Sequence, residues 1–218
     1  MANNEDGIVR LAREFIDREA RALANLASLI DESFVDIVER VLATPGKVIT
    51  TGAGTSGIMA ARLAHILAVS GTPALYLSSQ DALHGGMAAI TREDLVIAFS
   101  KGGQSAELTE LTVRLGERGV HVIAVTEKPE SPFALAAGTV VRVATDPVDA
   151  DPGGLIAMGS TLVAGAWGDA LATTLMAANQ YDWKEVLHSH PAGIVGQQTK
   201  LPETLSLGLS LPDEKESR

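Results

Sequence analysis

The sequence predicts an α/β fold: a parallel sheet covered by helices on both faces. Three observations carry that expectation. Five short runs rich in Val, Ile, Leu and Ala fall between Val48 and Val143. Helical patterns separate most of them, as the crossovers between parallel strands require. The first and third runs end directly in loops of glycine and hydroxyl residues, and each loop opens a helix. These read KVITTGAGTSG, Lys47 to Gly57, and DLVIAFSKGGQSAE, Asp94 to Glu107.

The elements follow in order. Asp6–Leu29 places Ile8, Leu11, Phe15, Ile16, Ala20, Leu23, Leu26 and Leu29 at helical spacing, and Glu32–Leu42 repeats the pattern with Phe34, Ile37, Val38 and Val41. Each is an amphipathic helix with one apolar face for packing or dimerisation, and Thr44-Pro45-Gly46 stops the second. Strands are expected at Val48–Thr51, Ala74–Leu77, Leu95–Phe99, Val122–Val125 and Val140–Val143. Helices are expected at Ile58–Val69, Ala106–Gly116 and Phe133–Ala137, and His84–Ala89 reads as a short helical turn. An acidic turn, TDPVDADPGG, precedes a long apolar helix over Leu155–Ala178. Asp169 and the glycines at 159, 165 and 168 mark that helix as close-packed protein interior rather than a membrane span.

The 218 residues suffice for one domain with a substantial core. We assign residues 1–200 to it: N-terminal helices over 1–45, then the α/β core and C-terminal helices over 46–200. A polar tail over 201–218 is expected to end in disorder. The formal net charge of −10, with no basic cluster to offset it, opposes binding to a nucleic-acid backbone. Cysteine is absent, which excludes disulfides and thiol catalysis. The first residues lack a secretory pattern, so the expected compartment is the cytoplasm.

The two loops carry the chemistry. Right-handed crossovers place both at the C-terminal edge of the sheet, where open α/β sheets bind ligands. Backbone N–H groups at a helix N-terminus favour an anion such as phosphate. Gly54, Thr55 and Ser56 in the first loop, and Ser100, Lys101, Gly103 and Ser105 in the second, are therefore candidate phosphate-binding residues. Lys101 beside a glycine pair suits a phosphate, whereas Ser105 equally suits a plain N-cap. Glu107, in the first turn of its helix, suits acid/base chemistry or simple compensation of the helix dipole.

Gly52-Ala53-Gly54-Thr55-Ser56-Gly57 also fits the dinucleotide pattern G-x-G-x-x-G. That reading wants an acidic residue closing the second strand, where this chain has Leu77-Ser78-Ser79-Gln80 with Asp81 late, and it leaves the second loop unused. His188 and His190 form an H-x-H pair, a poor metal signal without further ligands. Asp146, Asp149 and Asp151 read as residues solvating a loop.

In combination, GAGTSG, TPALYLSSQDALHGG, DLVIAFSKGGQSAELTEL, VIAVTEKPESPFALAAGTVV, GDALA and SHPAGIVG resemble the SIS (sugar isomerase) domain, and within it the arabinose-5-phosphate isomerase group. The likeness runs from the first helix to about Gln197. It implies a five-stranded parallel sheet in a flavodoxin-like three-layer sandwich, and a homodimer or homotetramer with active sites shared between subunits. It also implies reversible aldose–ketose interconversion of a phosphosugar through an enediol, with no cofactor and no metal. Ser56, Ser100 and Ser105 match the family's phosphate cradle. Glu107, Asp149, His190 and His84 match its acidic, histidine and sugar-facing positions. A non-catalytic phosphosugar-sensing protein is the alternative. So is a metal-assisted isomerase with His84, His188 or His190 as ligands. The group's usual first loop, G-x-G-K-S-G, has Thr55 here in place of lysine. Its second loop, S-N-S-G-E-[ST], has Lys101, Gly102 and Gln104 in place of asparagine, serine and glutamate. Lys101 is accordingly expected to restore the missing cation to the phosphate.

Overall fold

The computed structural model describes residues 2–207, with side chains described from residue 5. The chain end expected to be disordered, 208–218, lies outside the described residues. Five strands, β1 (Val48–Gly52), β2 (Ala74–Tyr76), β3 (Leu95–Phe99), β4 (His121–Thr126) and β5 (Thr139–Arg142), form one parallel sheet in the order β2-β1-β3-β4-β5. Eight α-helices accompany them among the described residues: α1 (Ala2–Leu26), α2 (Glu32–Leu42), α3 (Gly54–Val69), α4 (Ser79–Leu83), α5 (Ala106–Glu117), α6 (Pro132–Ala136), α7 (Gly159–Ala178) and α8 (Trp183–His188).

Period-two alternation along the strands builds two cores. Leu95, Ile97 and Phe99 of β3 pack on one face with α1, α2, α3 and α7, while Val96 and Ala98 pack on the other with α4, α5 and α6. The first core centres on Trp167 of α7. Its ring meets Phe34 of α2 edge-on at a centroid distance of 6.4 Å, and Phe99 of β3 at 6.0 Å. Arg62 of α3 clamps α7 from outside with a bidentate pair to Asp169 at 2.7 and 2.9 Å. No helix of the described residues is long and apolar enough to cross a membrane.

Three elements differ from expectation. Helix α3 begins at Gly54 rather than Ile58, because its first turn is glycine and hydroxyl residues that carry no apolar period. Helix α7 begins at Gly159 rather than Leu155: Gly153 and Gly154 stand at φ +65° and +68°, which breaks the helix before it. Helix α4 is too short to show a period in the sequence. Ser78 caps it, its hydroxyl accepting from the Asp81 N–H at 3.0 Å, so Asp81 is a capping partner and not a ribose ligand.

The entry to the sheet is pinned by Asp94, whose side chain is 2% exposed. Its carboxylate accepts from the Lys47 N–H and ammonium, each at 3.0 Å, and from the Thr91 N–H at 2.8 Å. Burial pushes this carboxyl up, but the Lys47 and Thr91 donors together outweigh it and hold the group at about 2. The folded value lies below the unfolded one of about 3.9, so the stabilisation is complete above that pH and is lost as pH falls through about 2. Acid titration of unfolding free energy should therefore fall less steeply between pH 4 and pH 2 in Asp94→Asn than in the wild type. Equal slopes would remove Asp94 as a source of the acid sensitivity.

Candidate active site at the sheet switch point

The strand order fixes where a site can form. From β1 the chain winds outward to β2, and from β3 it winds the opposite way to β4 and β5. The winding thus reverses between neighbours β1 and β3, a switch point at which two loops diverge and leave a crevice. The loops opening there are the two glycine loops.

In the first, β1 ends at Gly52 and α3 begins two residues later. Ala53 occupies the N-cap position and offers no side-chain cap, so the N–H groups of the first turn face the crevice without one. Ser56 and Thr55 bring hydroxyls to the same turn. In the second loop the Ser100 N–H donates to Val125 O at 3.0 Å, and Ser100 Oγ accepts from the Gly103 N–H at 3.2 Å. Gly103 stands at φ +63° with its α-carbon against Ser131, where a side chain would overlap that residue. Ser105 is the N-cap of α5, its hydroxyl accepting from the Leu108 N–H at 3.3 Å.

Between the loops lies a small cleft, open to solvent. Thr55, Ser56 and Met59 of α3 form one wall, and Ser160, Thr161 and Ala164 of α7 face them. Phe99, Ser100, Lys101, Val125, Thr126 and Glu127 supply the sheet edge.

Lys101 is the one basic side chain lining this cleft among the described residues. Its ammonium forms an ion pair with Asp151, whose side chain is 1% exposed. The other oxygen of Asp151 accepts from the N–H groups of Met158 and Ser160 at 2.8 and 2.9 Å, which caps α7. Burial raises the Asp151 carboxyl, and the Lys101 ammonium with the Ser160 and Met158 donors overrides it, leaving the group below its ordinary value. Asp151 is therefore no loop-solvating residue. Its sequence context, Asp-Pro-Gly-Gly, is that of a solvated turn, and only the later return of α7 onto the sheet buries it.

The other sequence-named residues stand outside the lining of this cleft. Asp149 is largely exposed and pairs with Arg18 of α1 at 3.4 Å. The Asn25 side chain of the same helix donates to the Asp146 carbonyl at 2.9 Å and to its carboxylate at 3.3 Å. Glu107 sits exposed in the first turn of α5, and His84 is the C-cap residue of α4. His190 follows α8, with Nδ1 2.7 Å from Val186 O. A carbonyl can only accept, so Nδ1 carries the hydrogen and Nε2 is left free to exchange a proton. Among the described residues no three His, Asp or Glu side chains converge as a metal site.

A 2-1-3-4-5 parallel sheet with paired glycine loops at its switch point defines the class, and the family follows. Residues 41–174 match the SIS domain, and the chain belongs to that family. It is 34% identical over 214 residues, 97% of its own length, to arabinose 5-phosphate isomerase KdsD of Pseudomonas aeruginosa, and spans 65% of that protein. Among solved structures it is similar to the c3406 protein of E. coli CFT073, solved as a ligand complex, at a TM-score of 0.81 and 27% identity, covering 85% of this chain and 98% of that one. The Vibrio vulnificus NanR protein complexed with ManNAc-6P, 22% identical, has the same fold at a TM-score of 0.72, covering 87% of this chain and 70% of that one.

Proposed function

We propose that this chain is an aldose–ketose isomerase acting on a phosphorylated sugar of arabinose-5-phosphate type. The observation that carries this reading is the cleft at the switch point, where the uncapped turn of α3 and the hydroxyls of Ser56 and Ser100 face one another. Such a turn offers roughly half a positive charge and directed N–H donors, which suits a phosphate. The relatives' names support the substrate class. In the open-chain aldose a base takes the proton from C2, the enediol forms, and the proton returns to C1 while a second proton moves between O1 and O2. No electron leaves the sugar, so the reaction needs no redox cofactor. Glu107 is the base in this reading. His190 exchanges protons with the oxygens through Nε2, and Asp149 and His84 face the sugar hydroxyls. These four would reach a cleft across a subunit boundary, which makes the active unit a homodimer or homotetramer.

The test is incubation in D₂O with a panel of five- to seven-carbon sugar phosphates, followed by NMR at C2. Deuterium is expected to enter C2 of at least one of them. Binding with no exchange for any member of the panel would assign the chain to phosphosugar sensing instead.

A further inference from the structure

The Lys101 ammonium stands one carboxylate away from the start of α7, an unfavourable place for a cation. The first N–H groups of a long helix carry about half a positive charge and repel it. The carboxylate between them is Asp151, 1% exposed. One of its oxygens accepts from Lys101 Nζ, and the other from the N–H groups of Met158 and Ser160 at 2.8 and 2.9 Å. Its charge is thus shared between the helix and the lysine, and the lysine keeps part of its own. The backbone of Lys101 is fixed separately, its carbonyl accepting from the Glu127 N–H at 3.0 Å and the Thr126 hydroxyl at 3.1 Å. Only the side chain is left to rotate, and Asp151 is the partner that holds it.

We propose that Asp151 is a positioning residue for phosphate: it holds the Lys101 ammonium in the cleft, where the free N–H groups of the lysine meet the phosphate of the ligand. This rests on the reading of the chain as a phosphosugar protein, and adds how a cation is kept in a cleft where Thr55 brings none. Lysine has three N–H donors; Asp151 takes one, and two remain for the cleft that Thr55, Ser56 and Ser100 also line. Asp151 acts on the phosphate only through this lysine. With asparagine at position 151, an oxygen still serves Met158 and Ser160, so α7 stays capped. The amide N–H groups then turn toward the ammonium, and Lys101 swings out to solvent.

Calorimetric titration with inorganic phosphate would compare the wild type, Asp151→Asn and the double variant K101M/D151N. Affinity should fall about tenfold in Asp151→Asn, as for loss of a charged hydrogen bond, and the double variant should lie within about twofold of it. The ¹⁵N resonance of the Lys101 ammonium, identified by its absence from the double variant, is a readout that a mere cap of α7 would not move. It should shift on addition of phosphate to the wild type and stay still in Asp151→Asn. An unmoved wild-type resonance would take Lys101 off the phosphate and overturn the assignment, and this measurement holds even should Asp151→Asn fail to fold. Unchanged or raised affinity in Asp151→Asn would overturn it too, as would a double variant several-fold weaker than Asp151→Asn, since the lysine would then work without its carboxylate. The panel of sugar phosphates separates the two levels. A member that binds without moving the Lys101 resonance defeats this assignment alone, whereas a panel with no binder brings down the functional reading and this assignment with it.

Discussion

Glu107→Gln is expected to lower isomerase turnover about a hundred- to ten-thousand-fold while substrate binding is retained. The substitution keeps the shape of the side chain and removes its ability to take a proton. Glu107 is exposed in the first turn of α5 and adds nothing to the core, so the fold has no reason to change. Single-turnover NMR at saturating sugar phosphate, with affinity measured in parallel, separates the two quantities. A variant that lost affinity and kept its turnover would make Glu107 a binding group.

Trp167→Ala should cost about 3–5 kcal/mol of unfolding free energy, as truncation of a large buried aromatic usually does. Trp167 is 2% exposed and holds edge-on contacts to Phe34 and Phe99. Against a typical domain stability of about 5–15 kcal/mol that is a large fraction. Denaturant titration would detect it as a lower midpoint with an unchanged slope, and Trp167→Phe should recover much of the difference. Phe99 also lines the cleft, so the same truncation loosens the site from below. A midpoint shifted by only a few tenths of a molar would show that the neighbouring rings collapse into the space.

The sheet is legible in the sequence because its signal is local. Runs such as Leu95–Phe99 are buried on both faces and bounded by turn residues, so composition alone marks them. The glycine loops are legible for the same reason. What escapes a sequence reading depends on chain return. Asp151 reads as a polar turn residue until α7 folds back, and Glu127 reads as one more surface carboxylate until β4 ends at the crevice. The start of α7 is easily misplaced because apolar residues at 155–158 continue the pattern, while the break lies in the left-handed glycines just before them. For Glu107, His84 and His190 the missing information is of another kind. They match a family pattern in order, yet within this chain they do not line the cleft.

The match to the SIS domain begins at residue 41, yet the first core is closed by Ala22, Leu26, Phe34, Ile37 and Val38 from α1 and α2. The stretch that matches the domain model and the stretch that closes this core thus differ by two helices, although the likeness to arabinose 5-phosphate isomerase KdsD runs over 97% of the chain. A fragment that began at residue 41 would keep every loop of the cleft and leave the Trp167 side of the sandwich open to water.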